Sequence, residues 1–159
     1  MSESALDALY RQFYEIKALP PDTGFRIKLS DTEATDAARE YLFRNKDVVS
    51  QMIKSAAKVS LDVSDPQIIF RTDEIFASAR GGKGFMKVNA SICSEVRWDG
   101  SLHVNVKSVD VPFVKTSPAQ LNSLIQLPLQ AFMRQIEQYG AIRSFNILNG
   151  FAVLSGLKK

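Results

Sequence analysis

The sequence has very few of the residues on which most active sites and metal sites depend. Among its 159 residues there is one cysteine, Cys93, and one histidine, His103. A single cysteine excludes an internal disulfide and a thiolate metal site, and a single histidine leaves a nucleophilic triad only one candidate base. His103 falls on the polar face of a predicted strand, and the pattern places no nucleophile beside it. We therefore predict no catalytic residues, no metal site and no cofactor.

Acidic residues offer one alternative to this interpretation. Asp62, Asp65, Asp73 and Glu74 lie within one short stretch of the chain, and carboxylates are the ligands that Ca²⁺ prefers. They lack the spacing of an EF-hand, and aspartate is also common in turns, so turn formation explains these residues equally well.

Long apolar runs and basic clusters are also missing. No run of about 18 apolar residues occurs, so no segment is predicted to span a bilayer, and the N-terminus lacks the apolar core of a signal peptide. Basic residues outnumber acidic ones by 20 to 17 but are scattered, which excludes nucleic acid as the expected partner. The nearest grouping is Arg80, Lys83 and Lys87, which we interpret as a solvated hairpin end. The small positive excess favours anionic partners such as lipid headgroups.

The N-terminal third of the chain is predicted to contain helices before and after one strand. Apolar residues at helical spacing predict an amphipathic helix over 4–17, which Pro20 and Pro21 end. Residues 25–29 alternate as a strand and run into a capping box that begins at Ser30, so a helix follows. A second helical stretch continues after Asn45. We expect residues 1–21 to form a helix with a proline link and residues 22–159 to form one α+β domain.

The middle of the chain changes from a helical period to the period of a strand. Strands are predicted at 59–63, 68–70, 75–79, 86–98 and 102–106, with polar breaks or glycines between them. The longest has one apolar face and one polar face, and Asp99-Gly100 is a hairpin turn signal. This pattern predicts a highly twisted antiparallel sheet that is wetted on one side.

One long helix and one hairpin are predicted near the C-terminus. Ser117 and Pro118 mark the start of a helix over 117–139, and Asn149-Gly150 predicts a turn between two short strands. We expect this long C-terminal helix to pack on the concave face of the sheet, with the additional N-terminal helices elsewhere.

The apolar side of this helix is wider than a packing stripe, because Leu127 falls outside the stripe. A wide apolar arc is either plain core or one wall of a slot for an acyl chain, and both interpretations stay open. The candidate ligand-binding residues in the second case come from the long strand and from the helix: Met86, Val88, Ile92, Trp98, Leu124, Leu127, Phe132, Met133 and Ile136.

Five short segments carry a family resemblance. They are Leu-Ser-Asp-Thr-Glu at 29–33, Arg-Trp-Asp-Gly-Ser-Leu-His-Val at 97–104, Ser-Val-Asp-Val at 108–111, Pro-Ala-Gln-Leu-Asn at 118–122 and Ile-Leu-Asn-Gly at 147–150. In their order, over roughly residues 24–156, the chain resembles the bacterial YpmS- and LmeA-type envelope proteins. Those proteins are similar in layout to half of a TULIP-type lipid-binding module. The chain departs from them in having no N-terminal anchor or signal.

The resemblance implies non-catalytic binding of a lipid or another apolar, amphiphilic ligand, with a membrane surface as a further partner. It implies an extracytoplasmic or membrane-associated location, while the lack of a predicted signal or spanning segment leaves a cytoplasmic location open. An alternative is a protein-interaction module of an envelope or secretion assembly, docking through Leu6, Tyr10, Phe13 and Tyr14 of the first helix. A third hypothesis, a small hydrolase, would have to use His103.

Overall fold

The chain folds as an α+β protein of four helices and seven strands in the part that the structure describes. The computed structural model describes residues 3–57, 60, 62–83, 85–111 and 117–159, without the side chains of 56, 57, 83, 124, 125, 127, 128 and 132. The elements are α1 (Ala5–Ala18), β1 (Gly24–Ser30), α2 (Asp31–Arg44), α3 (Lys46–Ala57), β2 (Asp62–Arg71), β3 (Glu74–Lys83), β4 (Met86–Trp98), β5 (Leu102–Asp110), α4 (Pro118–Glu137), β6 (Gly140–Leu148) and β7 (Phe151–Lys158).

The strands form two antiparallel sheets. One has four strands in the order β2-β3-β4-β5, and the other has three in the order β1-β7-β6. The expectation of antiparallel pairing is confirmed, but the expectation of one sheet is wrong. The final hairpin pairs with β1, which lies more than a hundred residues earlier in the chain, with Gly24 opposite Leu157 and Ser30 opposite Phe151. Alternation identifies a strand but carries no information about such a distant partner.

The long helix forms where the sequence predicts it, but it is not the C-terminal element. The chain ends in β6 and β7, and α4 contacts β5 and β6, which are edge strands of different sheets. The expected placement on the concave face of a single sheet is therefore not observed. The reason is that the final hairpin builds its own sheet with β1, so α4 connects the two sheets.

Two capping boxes begin helices as predicted. The Ser30 hydroxyl accepts from the Glu33 amide at 3.0 Å, and the Glu33 carboxylate accepts from the Ser30 amide at 3.3 Å. Ser117 and Gln120 make the same reciprocal pair at the start of α4. Each pair satisfies amides that the first helical turn would otherwise leave without partners.

The four-stranded sheet contains two bulges. The predicted strands 59–63 and 68–70 belong to one strand, β2, although residues 59 and 61 lie outside the described part. They are joined through Asp65 and Pro66, where the register shifts against β3 and Asp65 has a φ of 51°. The second bulge adds Lys107 to β5 opposite β4. Each bulge changes which residues of the strand face the core beyond it.

Two core clusters hold the molecule together. Core A lies on the three-stranded sheet and consists of Ile16, Phe25, Ile27, Ile136 and Leu154. Core B lies between the sheets and consists of Ala34, Phe70, Val96 and Ile147. Phe145 packs against both clusters.

The N-terminal helix shares in this packing. Ile16 of α1 belongs to core A, and Leu6 is also buried. The Leu6 amide donates to the Glu40 carboxylate at 3.1 Å, and Asp7 pairs with Arg44 at 3.2 Å, so α1 is held against α2.

Candidate apolar ligand site

One face of the four-stranded sheet is apolar along most of its length, and core B covers only one end. Beyond that end the strands place Val63 opposite Gly81 and Gly81 opposite Val88, while Ala77, Ile92 and Val109 form another cross-strand row. Paired residues of adjacent strands share a face, and so do alternate residues of one strand. The resulting patch, which we name the open face, consists of Val63, Ala77, Ala79, Val88, Ala90, Ile92 and Val109.

Every side chain of the open face is half-buried rather than buried. The centre of the patch is small, because Ala77, Ala79 and Gly81 on β3 lie beside Ala90 on β4. Core B, on the same face, contains larger residues such as Phe70 and Val96. The side chains at the centre of the open face are small and those at its margin are branched, so the centre forms a low floor. The apolar surface of this floor remains partly exposed to solvent.

Helices contact both edges of this sheet. The edge strand β2 contacts α3, and the other edge strand, β5, contacts α4. At the second edge the Val106 amide, next to the bulge at Lys107, donates to the Asn122 side chain of α4 at 2.7 Å. The Asn122 amide group also donates to Asn105 at 3.1 Å. A bulge disrupts the ladder locally, and here the side chain of Asn122 binds the amide beside it.

The residues proposed from the sequence divide into two groups. Met86, Val88 and Ile92 lie on one half of β4 and on the same face, with Met86 exposed and the other two half-buried. Trp98 is on that face too, but it lies twelve residues along β4 from Met86. With a rise of about 3.3 Å per strand residue, the two are about 40 Å apart. Its indole donates to the Arg143 carbonyl of β6 at 3.2 Å.

Of the helical residues of that set, Ile136 lies away from the open face. Met133 and Ile136 are buried, and Ile136 belongs to core A on the three-stranded sheet. The structure therefore does not bring Ile136 together with Val88 and Ile92. The side chains of Leu124, Leu127 and Phe132 lie outside the described part of the chain.

Sequence reasoning missed the alanine floor of the open face. Ala77, Ala79 and Ala90 alternate with polar or charged residues such as Ser78 and Asn89, but alanine gives only a weak apolar signal. The missing information was the register of β3 on β4, which sets Ala77 opposite Ile92 and Ala79 opposite Ala90.

The opposite face of the same sheet is mostly polar, although Ile69 and Phe76 also lie on it. Gln67, Ser78, Ser91 and Asp110 form one cross-strand row, and they line a depression of about 650 Å³. Asp65 and Arg80 border the depression and lie 3.8 Å apart. The two faces of the sheet thus differ sharply in chemistry.

A separate groove of about 960 Å³ lies along α1. Apolar and aromatic residues from α1, α2 and the end of α4 dominate its lining: Leu9, Tyr10, Phe13, Tyr14, Tyr41 and Tyr139. Tyr10 and Tyr14 are exposed, whereas Leu6, which was expected to dock with them, is buried.

The residues that could support catalysis lie apart. The Cys93 thiol is 3.9 Å from the Glu74 carboxylate, and the His103 imidazole is 2.9 Å from the Asp99 carboxylate. The hydrogen bond with His103 lowers the pKa of Asp99. His103 pairs with Arg97, four residues along β4 from Cys93, which corresponds to about 13 Å.

Two of the four acidic residues lie in a turn or a bulge, whereas Asp62 and Glu74 begin strands. Asp65 lies in the β2 bulge, and Asp73 has a φ of 60° in the β2–β3 turn. Among the residues that the structure describes, no three His, Cys, Asp or Glu side chains come together as metal ligands would.

The chain matches no protein-family model, no curated protein and no solved structure. Of the helices in the described part, none has both the length and the apolar character needed to cross a membrane.

Proposed function

We propose that this protein binds a lipid or another apolar, amphiphilic ligand on the open face and catalyses no reaction. The observation that supports the proposal is the half-buried alanine floor with its margin of Val63, Val88 and Ile92. Covering such apolar surface is favourable by about 25 cal/mol per Å². In this proposal Val88 and Ile92 of the sequence-derived set contact the ligand, whereas exposed Met86, at the first position of β4, lies beyond the open face.

We keep as a hypothesis that this protein is related to the YpmS- and LmeA-type proteins and has the layout of a TULIP-like half-module. The same hypothesis locates the protein at the cell envelope. One feature of the resemblance acquires a structural role, since Asn122 of the Pro-Ala-Gln-Leu-Asn segment binds the backbone beside the β5 bulge. That contact fixes the start of α4 at the edge of the proposed binding sheet.

The first test is native mass spectrometry of protein purified without detergent, with extraction and lipid analysis, followed by titration with a fluorescent fatty acid. We expect a bound mass of acyl-chain character or saturable uptake of the probe. A clean apo mass without uptake would remove the lipid-binding proposal.

A pair of substitutions on β4 locates the site. Ala90→Leu places a larger side chain on the open face, and Ser91→Leu places the same side chain on the polar face as a matched control. We expect Ala90→Leu to weaken uptake of the probe about tenfold, which corresponds to about 1.4 kcal/mol, and Ser91→Leu to leave it unchanged. Equal uptake by both folded variants would place the ligand elsewhere.

The groove along α1 supports a second candidate function, as a protein-interaction module of an envelope or secretion assembly. Two of its exposed tyrosines, Tyr10 and Tyr14, are the contact residues in this alternative. Deleting residues 1–21 would also remove Ile16 from core A, so point substitutions are the cleaner test. A photo-crosslinker placed at position 14 tests this alternative. The alternative would be favoured if the crosslinker gave a discrete protein adduct, if Tyr10→Ala abolished that adduct, and if the protein took up no lipid.

A further inference from the structure

The hairpin that joins β3 to β4 carries the most exposed large apolar residue of the described chain. Phe85 is 98% exposed, and its neighbour Met86 is 56% exposed. Single apolar side chains on a surface need no explanation. Phe85 and Met86 are consecutive at the end of the β3–β4 hairpin and form an apolar pair, which we name the tip, that belongs to neither core cluster.

Basic residues are concentrated in the sequence of this hairpin. The segment from Arg80 to Lys87 contains three basic residues and no acidic one. Lys87 is exposed and directly follows Met86. On the neighbouring strand, Asp65 pairs with Arg80 and Asp62 lies opposite Gly82, so the acidic residues near this segment lie on β2 and not at the tip. Apolar side chains that project beyond lysines match an anionic bilayer, since the lysines contact headgroups while the apolar groups enter the acyl boundary.

The tip also lies next to the open face. Met86 and Val88 are on the same face of β4, and Val88 belongs to the last row of the open face before the hairpin. The opposite end of this sheet face is covered by core B. A bilayer that receives the tip would therefore meet the end of the apolar face that core B leaves free in the described part of the chain.

We propose that the β3–β4 hairpin docks the protein on anionic membranes, with Phe85 and Met86 inserted and Lys87 at the headgroups. This extends the ligand-binding proposal by stating where the ligand enters, but docking and ligand uptake are measured separately. The contact has two components, apolar insertion and charge attraction, and each has its own variant.

The test is flotation with phosphatidylcholine vesicles, with and without phosphatidylserine. We expect the wild-type protein to float with the phosphatidylserine vesicles and to be released by salt. The double variant Phe85→Ser/Met86→Ser should lose about tenfold in partitioning, and Lys87→Glu should reduce binding to the anionic vesicles alone. All these positions are exposed, so far-UV circular dichroism should stay unchanged.

The matched control is Leu148→Ser. Leu148 is 48% exposed and lies beside the β2–β3 turn, at the other end of β3 from the hairpin tip. This control should float like the wild-type protein. Failure of the wild-type protein to bind anionic vesicles at low salt would overturn the proposal, as would equal binding by the double variant. A dimer that the double variant dissociates, without vesicle binding, would also overturn it and assign the tip to a second copy of the chain.

Ligand uptake separates the two proposals. Ala90→Leu should keep vesicle binding while it loses uptake of the fatty-acid probe. The Phe85→Ser/Met86→Ser variant should keep uptake of a probe added free in solution. If vesicle binding is lost in the double variant and kept in Ala90→Leu, docking is supported whatever the open face binds.

Discussion

At the scale of single residues, two glycines determine how closely the strands of the small sheet approach Phe25. A Cβ atom on Gly156 would lie 2.6 Å from Phe25 Cζ and would also collide with the Ala141 carbonyl oxygen. A Cβ on Gly140 would lie 2.9 Å from the Leu157 carbonyl oxygen and would collide with the same ring. The ring of Phe25 occupies the space that side chains at both positions would need, and this fixes Phe25 in core A.

Gly156→Ala is therefore expected to destabilise the fold by about 1–3 kcal/mol, the usual effect of forcing atoms into a packed core. The matched control is Gly24→Ala, because a Cβ on Gly24 meets nothing within 4 Å. Urea unfolding followed by circular dichroism measures both variants. Similar stabilities for the two variants would show that Phe25 moves away without loss of packing.

At the scale of elements, one ion pair spans the middle of the four-stranded sheet. Lys107 of β5 reaches across β4 to Glu74 of β3, with Nζ 2.7 Å from Oε1. The hydrogen bond and charge of Lys107 lower the pKa of Glu74, and Glu74 raises the pKa of Lys107. Because the pKa of Glu74 is lowered on folding, the ion pair stabilises the fold when the pH is above the pKa that this carboxyl has in the unfolded chain. The stabilisation is lost as the pH falls through the lowered pKa. The raised lysine pKa stabilises the fold below its unfolded-chain value, and that effect is lost as pH rises through the raised value.

Lys107→Met is expected to raise the pKa of Glu74 back toward the ordinary value of a glutamate. The matched control is Lys54→Met on the exposed side of α3. An NMR titration of the Glu74 carboxyl carbon measures the change directly. An unchanged Glu74 pKa in Lys107→Met would mean that the ion pair is not populated in solution.

At the scale of the whole molecule, the two sheets are joined by both backbone and side chains. The Asp73 amide donates to the Ile147 carbonyl at 3.0 Å, and the Asp73 carbonyl accepts from the Val96 amide at 2.8 Å. The β2–β3 turn thus links β6 to β4. Ile147 is 2% exposed in core B, and Phe145 packs against both cores. Because the two sheets share these hydrogen bonds and core residues, we expect them to unfold together.

Ile147→Ala is expected to cost about 2–5 kcal/mol and to keep a single unfolding transition. Trp98 is the only tryptophan, and it bonds from β4 to β6, so its fluorescence reports on the junction between the sheets. We expect its urea midpoint to coincide with that of far-UV circular dichroism, with Ile147→Val as the milder control. Two separate midpoints would show that the sheets unfold independently.

The sequence by itself determined most of the elements and the starts of two helices. Alternation along 86–98 predicts β4, and Ser30 and Ser117 predict the capping boxes that begin α2 and α4. Asn149-Gly150 predicts the final hairpin. These features depend on local side-chain periods and on local hydrogen bonds, both of which neighbouring residues specify.

Only the tertiary structure decided how the elements combine. It pairs β1 with β7, divides the strands into two sheets and sends Ile136 to core A. It also sets Ala77 opposite Ile92, which gives the open face its small floor. These outcomes depend on contacts between residues far apart in the chain. Hydrophobic burial is non-directional, so an apolar pattern shows that a face must be covered but not which element covers it.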